Sequence, residues 1–324
     1  MKRVISILTC LCLLMTTGCS RQETIRFGAA GVGGMYYPFA NAFTELASKD
    51  ETGINWKVKS TAGSAANLRL LSDNYIELGI AQADLIEDAY YGKGTFHSGK
   101  YRGYKAVASL YPEACQIVVR KDSEITSLDD LEGKNVSVGE EESGTERNAT
   151  QILEMCGLPD NLVNTKNLDY TDAADQLAEK KIDAFFCTAG AQTTVIGELA
   201  KKCDIRLLSI DEKSAEKLKG TYKFYTDCTI PKETYNGQTE DVKTVGVKAV
   251  LLASDKLSAD TVKDITKILF ENKQELQYAL PVDISLDEKS AVEGITIPFH
   301  KGAVAYYEEC GMDAAELTTE KESN

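Results

Sequence analysis

The sequence predicts an α/β protein, and three observations carry that expectation. Short β-like runs alternate with helical ones along nearly the whole chain. Turns rich in Gly, Ser and Thr recur where a strand hands over to a helix. The 324 residues leave room for two α/β domains of ordinary size, and no internal repeat or low-complexity block interrupts the alternation.

The first residues stand outside that pattern. Lys2 and Arg3 precede an apolar run at 4–15 that is too short to span a bilayer comfortably, and Thr17, Gly18 and Cys19 follow. Small residues directly before a cysteine resemble a bacterial lipobox, which implies removal of residues 1–18 and diacylation of Cys19. Thr16 stands where that box usually has Leu, and a plain signal peptide is the alternative. Either reading places the protein outside the cytoplasm. The remaining 306 residues hold 34 basic and 50 acidic side chains, a net −16. A surface this acidic argues against nucleic acid and anionic lipid as partners, while leaving the charge of a local site open.

The strand and helix assignments run as follows. A strand is predicted at 24–28. A helix at 38–49 has Phe39, Ala42, Phe43, Leu46 and Ala47 on one face and Pro38 in its first turn, where the missing N–H costs nothing. A strand at 56–60 precedes a helix that Ser64 is read as capping, with Leu68, Leu70 and Leu71 along it. A strand at 78–81, a helix at 85–91 and a strand at 105–110 follow. Tyr111-Pro112 is read as a break, after which a strand at 115–120 opens a second α/β series. That series has a short helix capped by Ser127, a strand at 135–139, a helix at 145–156 closed by Gly157, a helix at 171–181 and a strand at 182–187. Strands at 205–209, 223–229 and 245–253 and helices at 258–279, 285–293 and 300–310 complete the chain. The acidic tail after Asp313 is expected to be disordered.

Four polar turns sit at the carboxyl ends of strands, the edge at which ligands bind in open α/β sheets. The first runs from Gly28 through Gly31, Gly33 and Gly34 to Tyr36, Tyr37 and Pro38. Its glycines and the helix start behind it make an anion seat, but it fits neither a dinucleotide fingerprint nor a Walker motif. The second holds Thr61, Ser64 and Asn67, the third Ser143, Gly144 and Thr145, the fourth Thr188, Ala189, Gly190 and Gln192. Each alone could be a simple cap; four together suggest a cleft lined from both sides, with Gln82 pointing into it. Arg69 is read as a surface or interdomain ion-pair partner that could instead meet a carboxylate.

Catalytic machinery is sparse. No Gly-x-Ser-x-Gly elbow occurs, and His97 and His300 are the only histidines. A secreted hydrolase using Cys187 or Ser143 is the rival from a different class. Six cysteines follow Cys19: Cys115, Cys156, Cys187, Cys203, Cys228 and Cys310. They are expected to be mostly buried small apolar residues, with one bridge allowed for. Without Cys-x-x-Cys spacing, and with two histidines, a zinc site is disfavoured, and no cofactor is implied.

Several stretches, in order, resemble the TAXI-type solute receptors of TRAP transporters. They are the glycine loop with Tyr36-Tyr37-Pro38, then 64–71, 77–84, Ala108-Ser109-Leu110-Tyr111-Pro112-Glu113, 127–134, Ser143-Gly144-Thr145-Glu146, 182–186 and Tyr306-Tyr307-Glu308. Ala29 and Ala30 replace part of a first loop that is richer in Thr, Ser and Gly in that family. The resemblance implies a two-lobed type II periplasmic-binding-protein fold with a hinge and an interlobe ligand cleft. Lobe I would hold 24–112 plus 230–324, and lobe II 113–229. It implies a small organic anion or amino acid, glutamate-like or 2-oxoglutarate-like, passed to a TRAP membrane permease. The site would comprise Gly33, Gly34, Ser64, Asn67, Gln82, Ser143, Gly144, Thr145, Thr188, Ala189, Gly190 and Gln192, walled by Tyr36 or Tyr37. A substrate-binding lipoprotein of an ABC importer is the alternative sharing the fold.

Overall fold

The computed structural model describes residues 23–319 apart from 50–52, 160, 283 and 285, so the signal segment, Cys19 and the end of the acidic tail lie outside the described residues. Strand β1 (Thr24–Gly28) pairs in parallel with β2 (Asn55–Lys59) and with β3 (Leu78–Gln82). Parallel neighbours need crossovers, supplied by α1 (Tyr36–Ala47) and α2 (Ser64–Ser72); α3 (Ala83–Tyr91) follows β3. Helix α1 buries Phe39 and Phe43 on the sheet. Phe43 meets Phe27 of β1 and Trp56 of β2 edge-on, with ring centroids 6.2 and 5.9 Å apart.

Two long strands join this half to the next. Strand β4 (Tyr104–Arg120) spans 17 residues and β10 (Val242–Ser254) 13, and they pair antiparallel from Tyr104↔Ser254 to Ala114↔Gly246. Leu110 and Val107 are extra residues on β4 at two slips in this register, bulges that bend the pair. Beyond Pro112, β4 gains β7 (Ala184–Ala189), and β7 pairs in parallel with β5 (Asn135–Ser137), which pairs with β6 (Asn164–Lys166). β8 (Ile205–Leu207) lies on the end of β4 and β9 (Thr226–Ile230) on the start of β10. The sheet order is β2-β1-β3-β10-β4-β7-β5-β6. Helices α4 (Gly144–Met155), α5 (Tyr170–Ala178), α6 (Thr194–Lys202) and α7 (Glu212–Thr221) cover the second half. α8 (Ala259–Glu271), α9 (Lys273–Ala279), α10 (Lys301–Glu309) and α11 (Ala314–Thr318) return to the first.

Adjacent residues of β7 feed opposite cores. Phe185 joins the larger one, with Ala173, Leu177, Ile196 and Leu199 of α5 and α6. Phe186 joins a smaller one, with Ile152 of α4 and Leu218 of α7.

Several expectations need correction. Pro112 does not end a strand: it lies inside β4, exposed, opposite Lys248, just before the pairing with β7 begins. Proline is tolerated there because its missing N–H falls where one edge is unpaired. The helix expected at 258–279 is interrupted at Asn272, whose side chain donates to the Ile268 carbonyl at 2.9 Å and ends α8. Of the helix expected at 285–293 only a 3-10 turn, Ser290–Val292, forms among the described residues. Ser127 caps nothing; its N–H and that of Thr126 donate to Asp130, leaving a 3-10 turn, Asp129–Leu131. The tail is ordered as far as α11, because Asp313 accepts from the Ala315 N–H and Leu317 is buried. Ser64 is not a cap but the first residue of α2; Gly63, at φ +137°, occupies the cap position. All six described cysteines are free, so no bridge forms among them.

Candidate functional site

A cavity of about 380 Å³ opens between the halves. From the first half it is lined by the loop after β1, with Gly33, Gly34 and Tyr36, by the turn from Ser60 to Ser64, and by Gln82 at the end of β3. From the second half come Ser143, Gly144 and Thr145 at the start of α4, and Thr188 and Ala189 at the end of β7. Ten of the fourteen predicted positions therefore meet in one space.

The other four lie elsewhere. Asn67 is buried behind the wall: its amide donates to the Gly28 and Ile80 carbonyls at 3.2 and 2.8 Å and accepts from the Thr61 hydroxyl at 2.7 Å. It ties β1, β3 and the second turn together. Tyr37 packs partly buried on the core. Gly190 and Gln192 line a separate groove with Pro112 and Cys228, because the Thr193 hydroxyl and the Gln116 amide both donate to the Gly190 carbonyl and hold that turn back.

Helices α1 and α2 begin without a side-chain cap, whereas the Ser143 hydroxyl accepts from the Glu146 N–H at 3.0 Å. All three present helix N-termini near the cavity, a partial positive charge of backbone origin. The halves touch around it. The Ala65 N–H donates to the Glu142 carbonyl at 3.1 Å, and Arg69 pairs with the Glu142 carboxylate. Gly144 lies so close to Gln82 that a Cβ there would overlap its amide. Gly33 and Gly34 lie against Tyr170. The Tyr170 hydroxyl pairs with that of Thr145 and donates to the Thr188 carbonyl at 3.1 Å.

Sequence reasoning missed Tyr170 and, on β4, Glu113. Glu113 is 2 % exposed, lines the cavity, and accepts from the Tyr36 hydroxyl at 2.7 Å. Burial pushes its pKa up to about 8, and the hydrogen bonds from Tyr36 and Gln82 offset this only in part. Burial, then Asp169, also raises Glu140, and both of these residues line the cavity. Among the described residues, no Lys, Arg or His lines it. The available signal for Glu113 was a lone carboxyl in a strand otherwise dominated by apolar residues.

The hydrolase rival finds no support in the thiol. Burial raises the Cys187 pKa, which disfavours the nucleophilic thiolate. His300 caps α10 by accepting from the Gly302 N–H at 3.2 Å.

The sequence profile of the NMT1-like family matches residues 27–311, and the chain belongs to that family. Among solved structures, a protein described as an L-cystine ABC transporter of Listeria monocytogenes matches with a TM-score of 0.51 and 16 % identity, over 82 % of this chain and 98 % of that one. A periplasmic transporter matches at 0.52 and 15 %, over 81 % and 88 %. An ancestral arginine-binding protein bound to arginine matches at 0.50 and 16 %, over 79 % and 96 %. The mixed α/β fold with its central sheet is that of the periplasmic binding proteins.

Proposed function

We propose that the chain is an extracytoplasmic solute receptor. It captures a small organic ligand between two lobes, residues 24–112 with 230–324 and residues 113–229, hinged at β4 and β10, and delivers it to a membrane permease. The observation that carries this is the convergence of helix N-termini from both halves on one 380 Å³ cavity. Backbone N–H groups there suit the carboxylate of an organic anion or amino acid, glutamate-like or 2-oxoglutarate-like. Ser64, Gln82, Thr145 and Thr188 would hold its polar groups. Diacylation at Cys19 would tether the receptor to the membrane.

Two permeases fit. The resemblance favours an ion-coupled TRAP permease, and an ABC importer fits at least as well, since the Listeria neighbour is described as an ABC transporter. Uptake in vesicles carrying the cognate permease separates them: collapse of the ion gradient stops the first, depletion of ATP the second. The receptor reading itself is tested by thermal shift of the purified protein against amino acids, keto acids and dicarboxylates. A ligand at one hundred times its Kd stabilises the fold by about 2.7 kcal/mol. Thr145→Ala should weaken that ligand about tenfold; an unchanged Kd would remove Thr145 from the site.

A further inference from the structure

Resting on the receptor reading, we infer that Glu113 and Gln82 form a subsite for a cationic nitrogen of the ligand, and that filling it expels a proton from the protein. Gln82 is 2 % exposed, lines the cavity, and its Oε1 is a buried acceptor without a hydrogen-bond partner among the described residues. Glu113 stands beside it on β4 and accepts hydrogen bonds from the Tyr36 hydroxyl, at 2.7 Å, and from the Gln82 side chain. Two acceptors at the cavity floor call for a ligand group with several N–H donors, and an ammonium supplies three.

The charges around the floor agree. From α1 comes the neutral Tyr36, whose ionisation burial opposes. The loop before α4 brings Glu140, and the start of α5 brings Asp169 and the neutral Tyr170. From β4 and α3 the neighbours are Tyr111 and Asp84, the latter itself held up by burial. A purely anionic solute would face these carboxyls with only helix ends to offset them. A zwitterion places its carboxylate at the helix ends and its ammonium on the floor.

The proton balance follows. Glu113 is mostly protonated at neutral pH because burial raises its pKa to about 8. An ammonium ion binds the carboxylate, so the Glu113 proton passes to the buffer as the ion pair forms. Release approaches one proton per ligand at pH 7. Below about pH 8, affinity falls close to tenfold per pH unit, because the proton and the ammonium compete for the same carboxylate.

The test uses the twenty amino acids and their 2-oxo acid counterparts as probes for the purified protein, in a thermal-shift panel followed by calorimetry in phosphate and in Tris. The best-binding amino acid should exceed its 2-oxo acid by at least about a hundredfold, and the buffer dependence of its heat should report release of about one proton. Glu113→Gln should abolish the release and flatten the pH profile, with its melting temperature checked separately. Equal or better binding by the 2-oxo acid, or net proton uptake, overturns the subsite and leaves the receptor standing. Stabilisation by neither set overturns both.

Discussion

Ser64 and Gly144 show how single positions hold the cavity wall. The Ser64 hydroxyl accepts from the backbone N–H of Gln82 at 3.2 Å, and each residue is only 2 % exposed. Ser64→Ala leaves that donor unpaired, which costs about 1–3 kcal/mol. Urea unfolding should show the loss, and Ser64→Thr, which keeps the oxygen, should recover part of it. Gly144 is required for a different reason: any Cβ would collide with the Gln82 amide across the interlobe contact. Gly144→Ala therefore acts on closure more than on folding. The expected result is a larger radius of gyration in ligand-free solution scattering and a ligand Kd at least about tenfold weaker, with overpacking of about 1–3 kcal/mol as its source. An unchanged radius and Kd would mean that Gln82 moves aside at no cost. Gly, Ser and Thr before a helix are visible locally, so the sequence reveals these positions. Glu113 and Tyr170 are not visible in that way, because β4 pairing and the packing of α5 bring them in from afar.

Elements with a strong apolar period were readable within a residue or two at most ends. α1, α4, α8 and β10 owe their positions to side chains that repeat on one face. The sequence of β4 reads as two strands because proline usually punctuates a sheet, and only the arrival of β7 beyond Pro112 makes it harmless. The residues 85–91 gave α3 from its apolar face, yet its polar face carries as much of the architecture. Asp88 pairs with Arg147 of α4 at 2.7 Å, with both side chains less than a quarter exposed, and so links the two halves. Asp84, one turn earlier, has both carboxyl oxygens buried without a well-formed hydrogen bond among the described residues, and burial raises its pKa to about 6, opposed only in part by the backbone N–H of Leu85. Removing Arg147 takes away the cation that opposes this rise in both aspartates. Arg147→Met should cost about 1–3 kcal/mol at pH 8, less than a fully buried pair because water reaches the site. The cost should shrink at pH 5, where the aspartates take up protons. A loss independent of pH would mean that Arg147 acts through packing alone.

At the scale of the whole molecule, a formal net charge of −14 and a carboxyl-lined cavity make proton binding part of the fold's stability. A raised carboxyl pKa means that the folded chain binds protons that the unfolded chain has released. For Glu113 the window runs from its ordinary value of 4.5 to about 8. Stabilisation is complete below the lower value and lost as pH rises to the upper one. His300, whose pKa burial lowers, acts in the opposite sense, but only below its ordinary value of 6.5. The interval from pH 6.5 to 8 lies above the His300 window and above the value of about 6 for Asp84, so Glu113 dominates it. Over those pH units the ligand-free protein should lose about 2 kcal/mol of unfolding free energy, at 1.36 kcal/mol per unit. Glu113→Gln, neutral throughout and of the same shape, should be flat across the same interval and more stable than the parent at pH 8. Denaturant unfolding at several pH values measures both slopes. If the parent gains stability between pH 6.5 and 8, Glu113 is ionised in the folded chain before a ligand arrives, and the cavity floor carries its negative charge from the start.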